Sequence, residues 1–403
     1  MITGVDREDD MEAGARARLA AGRHTALHLL LEADTETPVS AWLKLARPGR
    51  GDFLLESVEG GRTRGRYSLI GLDPDLMFRA HGDRAEVNRR WRADPDAFEP
   101  LQAPALAALR TLVASIRMDV PPGLPPALPF LVGYLGYETA GLVEQLPLPA
   151  ADPLGVPDLL FVRASLLLVF DRLADTLTLV APIYADSDLG VAGVEGDLAI
   201  DAALDAARAR LQSAAARLQQ PLPVQHAQLP AGFALPRPES AVGRGQYLER
   251  VEKARRYIAA GDIFQVVLAQ RFALPFPLPP FQLYRALRRI NPSPFLYHLD
   301  LPGFAVTGSS PEILVRARDG EVTIRPIAGT RKRGATDDED RALEHDLLSD
   351  PKELAEHLML LDLGRNDVGR ASEPGSVRVT DRFAIERYSH VMHIVSNVVG
   401  KQK

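Results

Sequence analysis

Two glutamates one helical turn apart, Glu353 and Glu356, sit in "SDPKELAEHLMLLDLGRND". Carboxylates at i and i+3 share a helix stripe, and such a pair can hold a hard cation such as Mg²⁺, directly or through water. The same residues admit a purely local reading. Asp350 can cap the helix, Pro351 suits its first turn, Glu353 closes a capping box and Glu356 pairs with Lys352. A second stretch, "IRPIAGTRKRG", puts Gly329, Thr330 and the cations Arg331, Lys332 and Arg333 just after a strand-like run. It reads as a solvated turn or as an anion site, since glycine admits close backbone approach and arginine binds carboxylates bidentately. In "GSSPEIL", Ser310-Pro311-Glu312 reads as cap, first turn and dipole-favoured glutamate, or as a positioned proton donor. In "YSHVMHIVSNVVG", His390 and His393 fall on opposite faces of an apolar strand. One is a satisfied core histidine or a general base in a cleft.

Stepping outward, 403 residues exceed one average domain. A net charge of −6 argues against a polyanion binder. With no cysteine, there is no thiol nucleophile, thiolate metal site or disulfide framework. No apolar h-region opens the chain and no run reaches a membrane span, which implies a cytoplasmic location. No glycine-rich nucleotide loop is present.

The elements that would carry these residues are short. Residues 1–22 read as a flexible tail, disordered or loosely helical. "HTALHLLLEA" and "DFLLESVE" are strand-like, and "GRYSLIGLDPDLMFRAHGDRAEV" reads as two strands around "LDP". "LFVRASLLLVFDRLADTLTLVAPIY" splits into two strand-sized pieces at "DRLAD". "PALAALRTLVASI" has helical spacing, and Leu204, Leu211 and Leu218 repeat along one helical face before Pro221. The proline-rich stretch 221–242 marks a linker. "GQYLERVEKARRYIAAGDIFQVVLAQRFALPF" follows as helix, Gly-Asp turn and strand. Strand pairs without intervening helices favour an antiparallel-rich α+β protein over βαβ winding.

Taken in order, "FLLESV…GRYSLIG", "GYLGYE", "GDIFQVVLAQRF", "NPSPFLYHL", "GSSPEILV", "RPIAGTRKRG", "AEHLMLLDLGRNDVGR" and "HVMHIVS" resemble the anthranilate synthase component I family of chorismate-utilising enzymes. The resemblance runs from about residue 25 to the last residue. It implies an antiparallel-rich α/β/β/α sandwich, with a tryptophan-binding regulatory region at 23–220 and a chorismate-binding catalytic domain at 243–403. It implies conversion of chorismate and ammonia to anthranilate and pyruvate through 2-amino-2-deoxyisochorismate. Ammonia would come from a glutamine amidotransferase subunit (component II) or fused domain.

Residue by residue, the resemblance makes Glu356 a direct Mg²⁺ ligand and Glu353 a water-mediated one. Glu312 becomes the acid for the leaving hydroxyl and His393 the residue of the second step. Gly329 and Thr330 become part of the surface that meets the substrate, and the cations beyond them supply structure or field. Ala328 replaces the lysine nucleophile of aminodeoxychorismate synthases. Gln265 replaces the lysine with which isochorismate and salicylate synthases activate water. Both positions favour direct amination. Glu56 and Ser57, with Asn291, Pro292, Ser293 and Phe295, match the tryptophan pocket, although "LLES" and "NPSP" also read as a strand end and a rigid turn. The family continues beyond Lys403 with a glycine-rich segment and a second metal-binding glutamate, so the expectation is a C-terminally incomplete catalytic domain, poor in turnover as it stands. A non-catalytic tryptophan-binding or subunit-docking fragment is the alternative from a different class. Synthases that stop at 2-amino-2-deoxyisochorismate, or make aminodeoxychorismate, are the enzymatic alternatives.

Overall fold

The computed structural model describes residues 5–57, 65–118, 120, 124, 128, 130–146, 152–185, 196–223, 229, 232–388 and 391–403. The chain has two compact units, Met1–Leu222 with Tyr284–Lys403, and Pro223–Leu283.

The first unit is built on three antiparallel sheets. One runs in the order Thr25–Glu32, Thr176–Ile183, Leu166–Asp171, Tyr67–Leu72, Asp52–Glu56, Phe295–Leu301, Phe304–Ser310. The apolar runs that read as strands supply its middle. Phe53, Leu54, Ile70, Leu167 and Leu168 are all fully enclosed. A second sheet runs Glu99–Pro100, Arg84–Asn88, Leu76–His81, Leu159–Arg163, Leu131–Leu135. The third is centred on Val391–Lys401, which pairs with Glu321–Ile324 and Ile327–Lys332 on one edge and Arg378–Arg387 on the other. Helix Pro351–Ala371 lies on this sheet, burying Leu361 and Val368 against Val398. This is the α+β, antiparallel-rich class expected from the sequence.

Several elements differ from their sequence reading. "LFVRASLLLVF" holds two strands, because the chain leaves the second sheet and enters the first at Ala164-Ser165. Ser165 fixes the crossing: its N–H donates to Leu72 O at 3.3 Å and its hydroxyl to Asp73 O at 2.7 Å. A third strand, Arg84–Asn88, follows Leu76–His81 through Gly82, whose φ of 54° suits glycine at a tight turn. Residues Val5–Ala20 form a helix that buries Ala15 and Leu19, with Glu12 held by Arg208 at 2.6 Å. Its sparse apolar content gave no stripe to read. The helix Asp197–Leu218 is as expected, with Leu204, Leu211 and Leu218 buried. No helix among the described residues is long and apolar enough to cross a membrane.

In the second unit, helix Arg244–Ala260 ends at Gly261 in the left-handed region, φ 80°. The expected strand after it is reduced to Phe272–Ala273, paired with Glu239–Ser240. Residues 262–271 form no ladder, since a strand requires a partner edge and none is offered to them among the described residues of this unit.

Candidate active site

The strand Ile327–Lys332 breaks register against Val391–Lys401 between Ala328 and Thr330. The extra residue is Gly329, with φ 64°. A glycine in a left-handed bulge re-aims the side chains beside it. A Cβ at Gly329 would come within 2.9 Å of Leu347 Cδ1 and 3.3 Å of Glu353 Oε2. These groups approach the backbone so closely only because the side chain is missing.

Four of the residues marked by the sequence gather around this bulge. His393 is the cross-strand partner of Thr330. Its Nδ1 lies 2.9 Å from Gly329 O and 3.1 Å from Thr330 Oγ1. A carbonyl oxygen can only accept, so Nδ1 carries a proton, and in the neutral ring the lone pair is on Nε2. Such an imidazole is oriented as a base. Glu353 is the third, its carboxylate over Gly329. The fourth is Glu312, whose carboxylate accepts the N–H of Ile327, the first residue of the bulged strand. Glu312 is exposed as a residue, yet loss of water around its carboxyl raises its pKa above the ordinary value, only partly offset by that N–H. Ala328, buried, precedes the bulge.

The local structures differ from the expected caps in ways that matter. No helix follows Ser310. Its hydroxyl takes the Glu312 N–H at 3.3 Å and donates to Glu312 O at 2.9 Å, forming a bend. The residues beyond run into the strand Arg316–Arg318, so no helix dipole acts on Glu312. Asp350 does cap its helix, accepting from the N–H groups of Lys352 at 3.0 Å and Glu353 at 3.3 Å, with Pro351 in the first turn. The return arm of a capping box is absent: the Asp350 N–H goes to Leu347 O and the Glu353 carboxylate turns to Gly329. Lys352 Nζ sits 3.3 Å from Glu353 and 3.8 Å from Glu356.

The cation cluster has a structural task. Arg331 bridges Asp346 at 2.6 Å and the cap Asp350 at 3.0 Å. Arg333 grips Asp340 at 2.8 Å and donates to Tyr388 O at 2.8 Å. These pairs tie both helices that flank Gly329 to the strand carrying it. His357, which drew no attention in the sequence, is fully buried with Nε2 2.7 Å from Ser396 Oγ, and joins helix Pro351–Ala371 to strand Val391–Lys401.

A hard cation suits the donor chemistry of Glu353 and Glu356, two carboxylates on one helical stripe that a single ammonium now shares. Among the described residues no group of three ligating side chains is assembled. Such a pair would bind Mg²⁺ with water completing its shell. His390 lies outside the described residues. Gln265 belongs to the other compact unit, in the exposed stretch after Gly261.

A second grouping forms where strand Asp52–Glu56 meets Phe295–Leu301, with Glu56 opposite Leu296. Glu56 is buried and accepts from Tyr284 Oη at 2.5 Å, Arg288 Nε at 2.7 Å and Arg172 Nη2 at 2.7 Å. Ser57, Asn291, Pro292, Ser293 and Phe295 are thereby brought to one end of the same ladder. Asn291 O receives the Ser309 hydroxyl at 2.7 Å. Ser293 Oγ is buried with no hydrogen-bond partner among the described residues. Sequence reading passed over Tyr284, Arg288 and Arg172. The i, i+4 spacing of Tyr284 and Arg288 on a strongly amphipathic helix was a signal that could have found two of them.

A family model described as chorismate binding enzyme matches residues 51–403. Anthranilate synthase component 1 of Cereibacter sphaeroides is 51% identical over 381 residues, 94% of this chain and 74% of that protein. The chain belongs to the anthranilate synthase component 1 family of chorismate-binding enzymes. The corresponding protein of Pseudomonas putida is 45% identical over 95% of the chain and 76% of its own length. Among solved structures, anthranilate synthase component I from Streptococcus pneumoniae aligns with TM-score 0.66 and 29% identity, covering 93% of this chain and 76% of that one. The menaquinone-specific isochorismate synthase of Escherichia coli, 16% identical with TM-score 0.61, shares the fold. The chain thus spans about three-quarters of the length of these family members.

Proposed function

We propose that the protein is the large, ammonia-using subunit of an anthranilate synthase, converting chorismate to anthranilate and pyruvate. The observation that carries this is the His393 imidazole, fixed by Gly329 O so that Nε2 is the basic nitrogen of the neutral ring, on the strand paired with the bulged one, whose first residue, Ile327, meets a carboxyl with a raised pKa. The reaction needs both. Departure of the ring hydroxyl requires an acid, and Glu312 fills that role. Proton loss from C2 of 2-amino-2-deoxyisochorismate requires a base, and His393 Nε2 fills that one. Gly329 and Thr330 offer an open backbone and a hydroxyl to the substrate. Ala328 has no nucleophile to offer, so ammonia adds directly to the ring.

Glu356, directly, and Glu353, through water, would hold Mg²⁺, which when bound supplies positive charge to neutralise the substrate carboxylate. Lys352 would then give up its place beside them. Residues 243–403 carry this chemistry and residues 23–220 the regulation, on either side of the 221–242 linker, with 1–22 preceding both. The buried, unpartnered Ser293 hydroxyl beside Glu56 and Ser57 supports a tryptophan site there. A glutamine amidotransferase, separate or fused, supplies the ammonia, and the reaction is cytoplasmic.

The test is to incubate the protein with chorismate, Mg²⁺ and an ammonium salt. Anthranilate, read by its fluorescence, is the expected product. Accumulation of 4-amino-4-deoxychorismate or isochorismate would overturn the assignment.

A further inference from the structure

A cavity of about 280 Å³ opens between the loop after helix Pro38–Leu45 and the face of helix Asp197–Leu218. It shares no residue with the bulge at Gly329 or with the grouping at Glu56. Its floor is apolar: Leu45, Leu72 and Leu166 are 3%, 4% and 7% exposed. Its walls carry four guanidinium groups, Arg47, Arg50, Arg210 and Arg217, against two carboxylates, Asp52 and Asp73. In a chain of net charge −6 that excess is local.

The donors and acceptors do not balance. Both oxygens of Asp52 are taken by backbone N–H groups, those of Arg47 and Asp73, each at 2.8 Å. Asp73 is paired with Arg92 at 2.8 Å. Arg217 is spent on Lys44 O and Leu45 O, at 2.7 and 3.1 Å. Among the described residues Arg210 reaches only Pro182 O, at 3.4 Å, and its buried Nε meets no acceptor. Arg50 makes long bonds, 3.4 and 3.3 Å, to Trp91 O and Arg92 O. The Arg47 side chain makes no hydrogen bond or ion pair among the described residues. Burial, and then the neighbouring Arg92, press the Arg210 pKa downward, with Asp75 and Asp73 opposing in part.

We propose that this cavity is a binding site for a small organic carboxylate, held by Arg210 and Arg47 with its apolar tail on Leu45, Leu72 and Leu166. Planar guanidinium groups with spare N–H donors match a carboxylate bidentately. A mostly apolar hollow with a few convergent polar groups is the form such sites take. The ligand would neutralise charge that the fold leaves uncompensated.

The probes are 4-methylpentanoate and inorganic phosphate, titrated calorimetrically into the intact protein. Trp91 is a local reporter, because its indole N–H donates to Arg50 O at 2.8 Å and the Arg50 guanidinium lies 5.6 Å from its ring. Fluorescence is read in a Trp42→Phe background, which leaves it the sole tryptophan. The expected result is one saturable site for 4-methylpentanoate. Binding should weaken roughly tenfold in Arg210→Gln, which removes hydrogen bonds to a charged group. The effect in Arg47→Gln should be smaller, since that side chain is exposed. Phosphate binding as tightly as the organic acid would overturn the carboxylate assignment. Binding unmoved by both substitutions, or lost in Thr330→Ala instead, would overturn the site itself.

Discussion

Glu353 has the sequence position of a capping-box partner without acting as one. The carboxylate is not spent on its own helix, because the Asp350 N–H is already satisfied by Leu347 O. Motif spacing alone favoured the cap over the ligand, and family resemblance favoured the ligand. Only coordinates show the carboxylate over Gly329. Glu312 was misread locally as part of a helix start, while its candidacy as an acid rested on resemblance. Its bond from Ile327, an N–H 15 residues along the chain, has no signature in "GSSPEIL". His393→Met should spare amination and stall the second step, since methionine has no basic nitrogen. Chromatography of the reaction should then show 2-amino-2-deoxyisochorismate. Anthranilate formed at the parent rate would make His393 structural.

Helices and buried strands were the easily read elements, because periods of 3.6 and 2 survive in the sequence wherever one face is buried. What escaped was where the chain changes sheet. Ala164-Ser165 carries no glycine or proline to mark the crossing, which is set by contacts with Leu72 and Asp73 from a distant strand. The bulge at Gly329 was legible as a glycine but not as a register break. Gly329→Ala should test that geometry. Alanine at φ 64° costs about 1–3 kcal/mol, and its methyl would press on Leu347 Cδ1 and Glu353 Oε2. The unfolding free energy from urea titration should fall by that amount, lowering the midpoint, and Mg²⁺ affinity measured by calorimetry should fall with it. An unchanged midpoint would mean that the strand can shed its bulge.

Across the whole molecule, strands on either side of residues 223–283 share one sheet, an arrangement that no local pattern announces. The ladder of Asp52–Glu56 with Phe295–Leu301 holds two predictions. At its Glu56 end, Ser57→Ala or Pro292→Ala should relieve tryptophan inhibition while leaving uninhibited turnover near the parent value. Tryptophan acting through a second conformer weak in chorismate binding accounts for such separation. Inhibition curves unchanged in both variants would remove the tryptophan site from this ladder. At its other end Asp52 and Asp300 face each other across the strands. Burial pushes the Asp52 carboxyl up to about 7, with Asp73 and Asp300 adding to it and two backbone N–H bonds opposing. A folded-state value above the unfolded one means stability present at acid pH and lost as pH climbs from about 4 through about 7. Between pH 5 and 8 the loss should be on the order of 2–3 kcal/mol. Buried His298 and His357, held down to about 4, act with the opposite sign at acid pH. The difference between parent and Asp52→Asn in urea unfolding therefore isolates the carboxyl. A difference independent of pH would show that Asp52 is ionised throughout.

That same ladder sets a schedule for the growing chain. Tyr284 and Glu56, joined by a 2.5 Å hydrogen bond, are 228 residues apart in sequence. At a synthesis rate of about 5–20 residues per second, the strand ending at Glu56 waits roughly 10–50 s for its neighbour to leave the ribosome. During that interval Phe53 and Leu54 have no strand on one flank, and a buried carboxylate has neither Tyr284 nor Arg288 to meet it. The nascent amino-terminal sheet is therefore the stage at which this protein most needs shielding from other chains, and slow codons before residue 295 would lengthen its exposure.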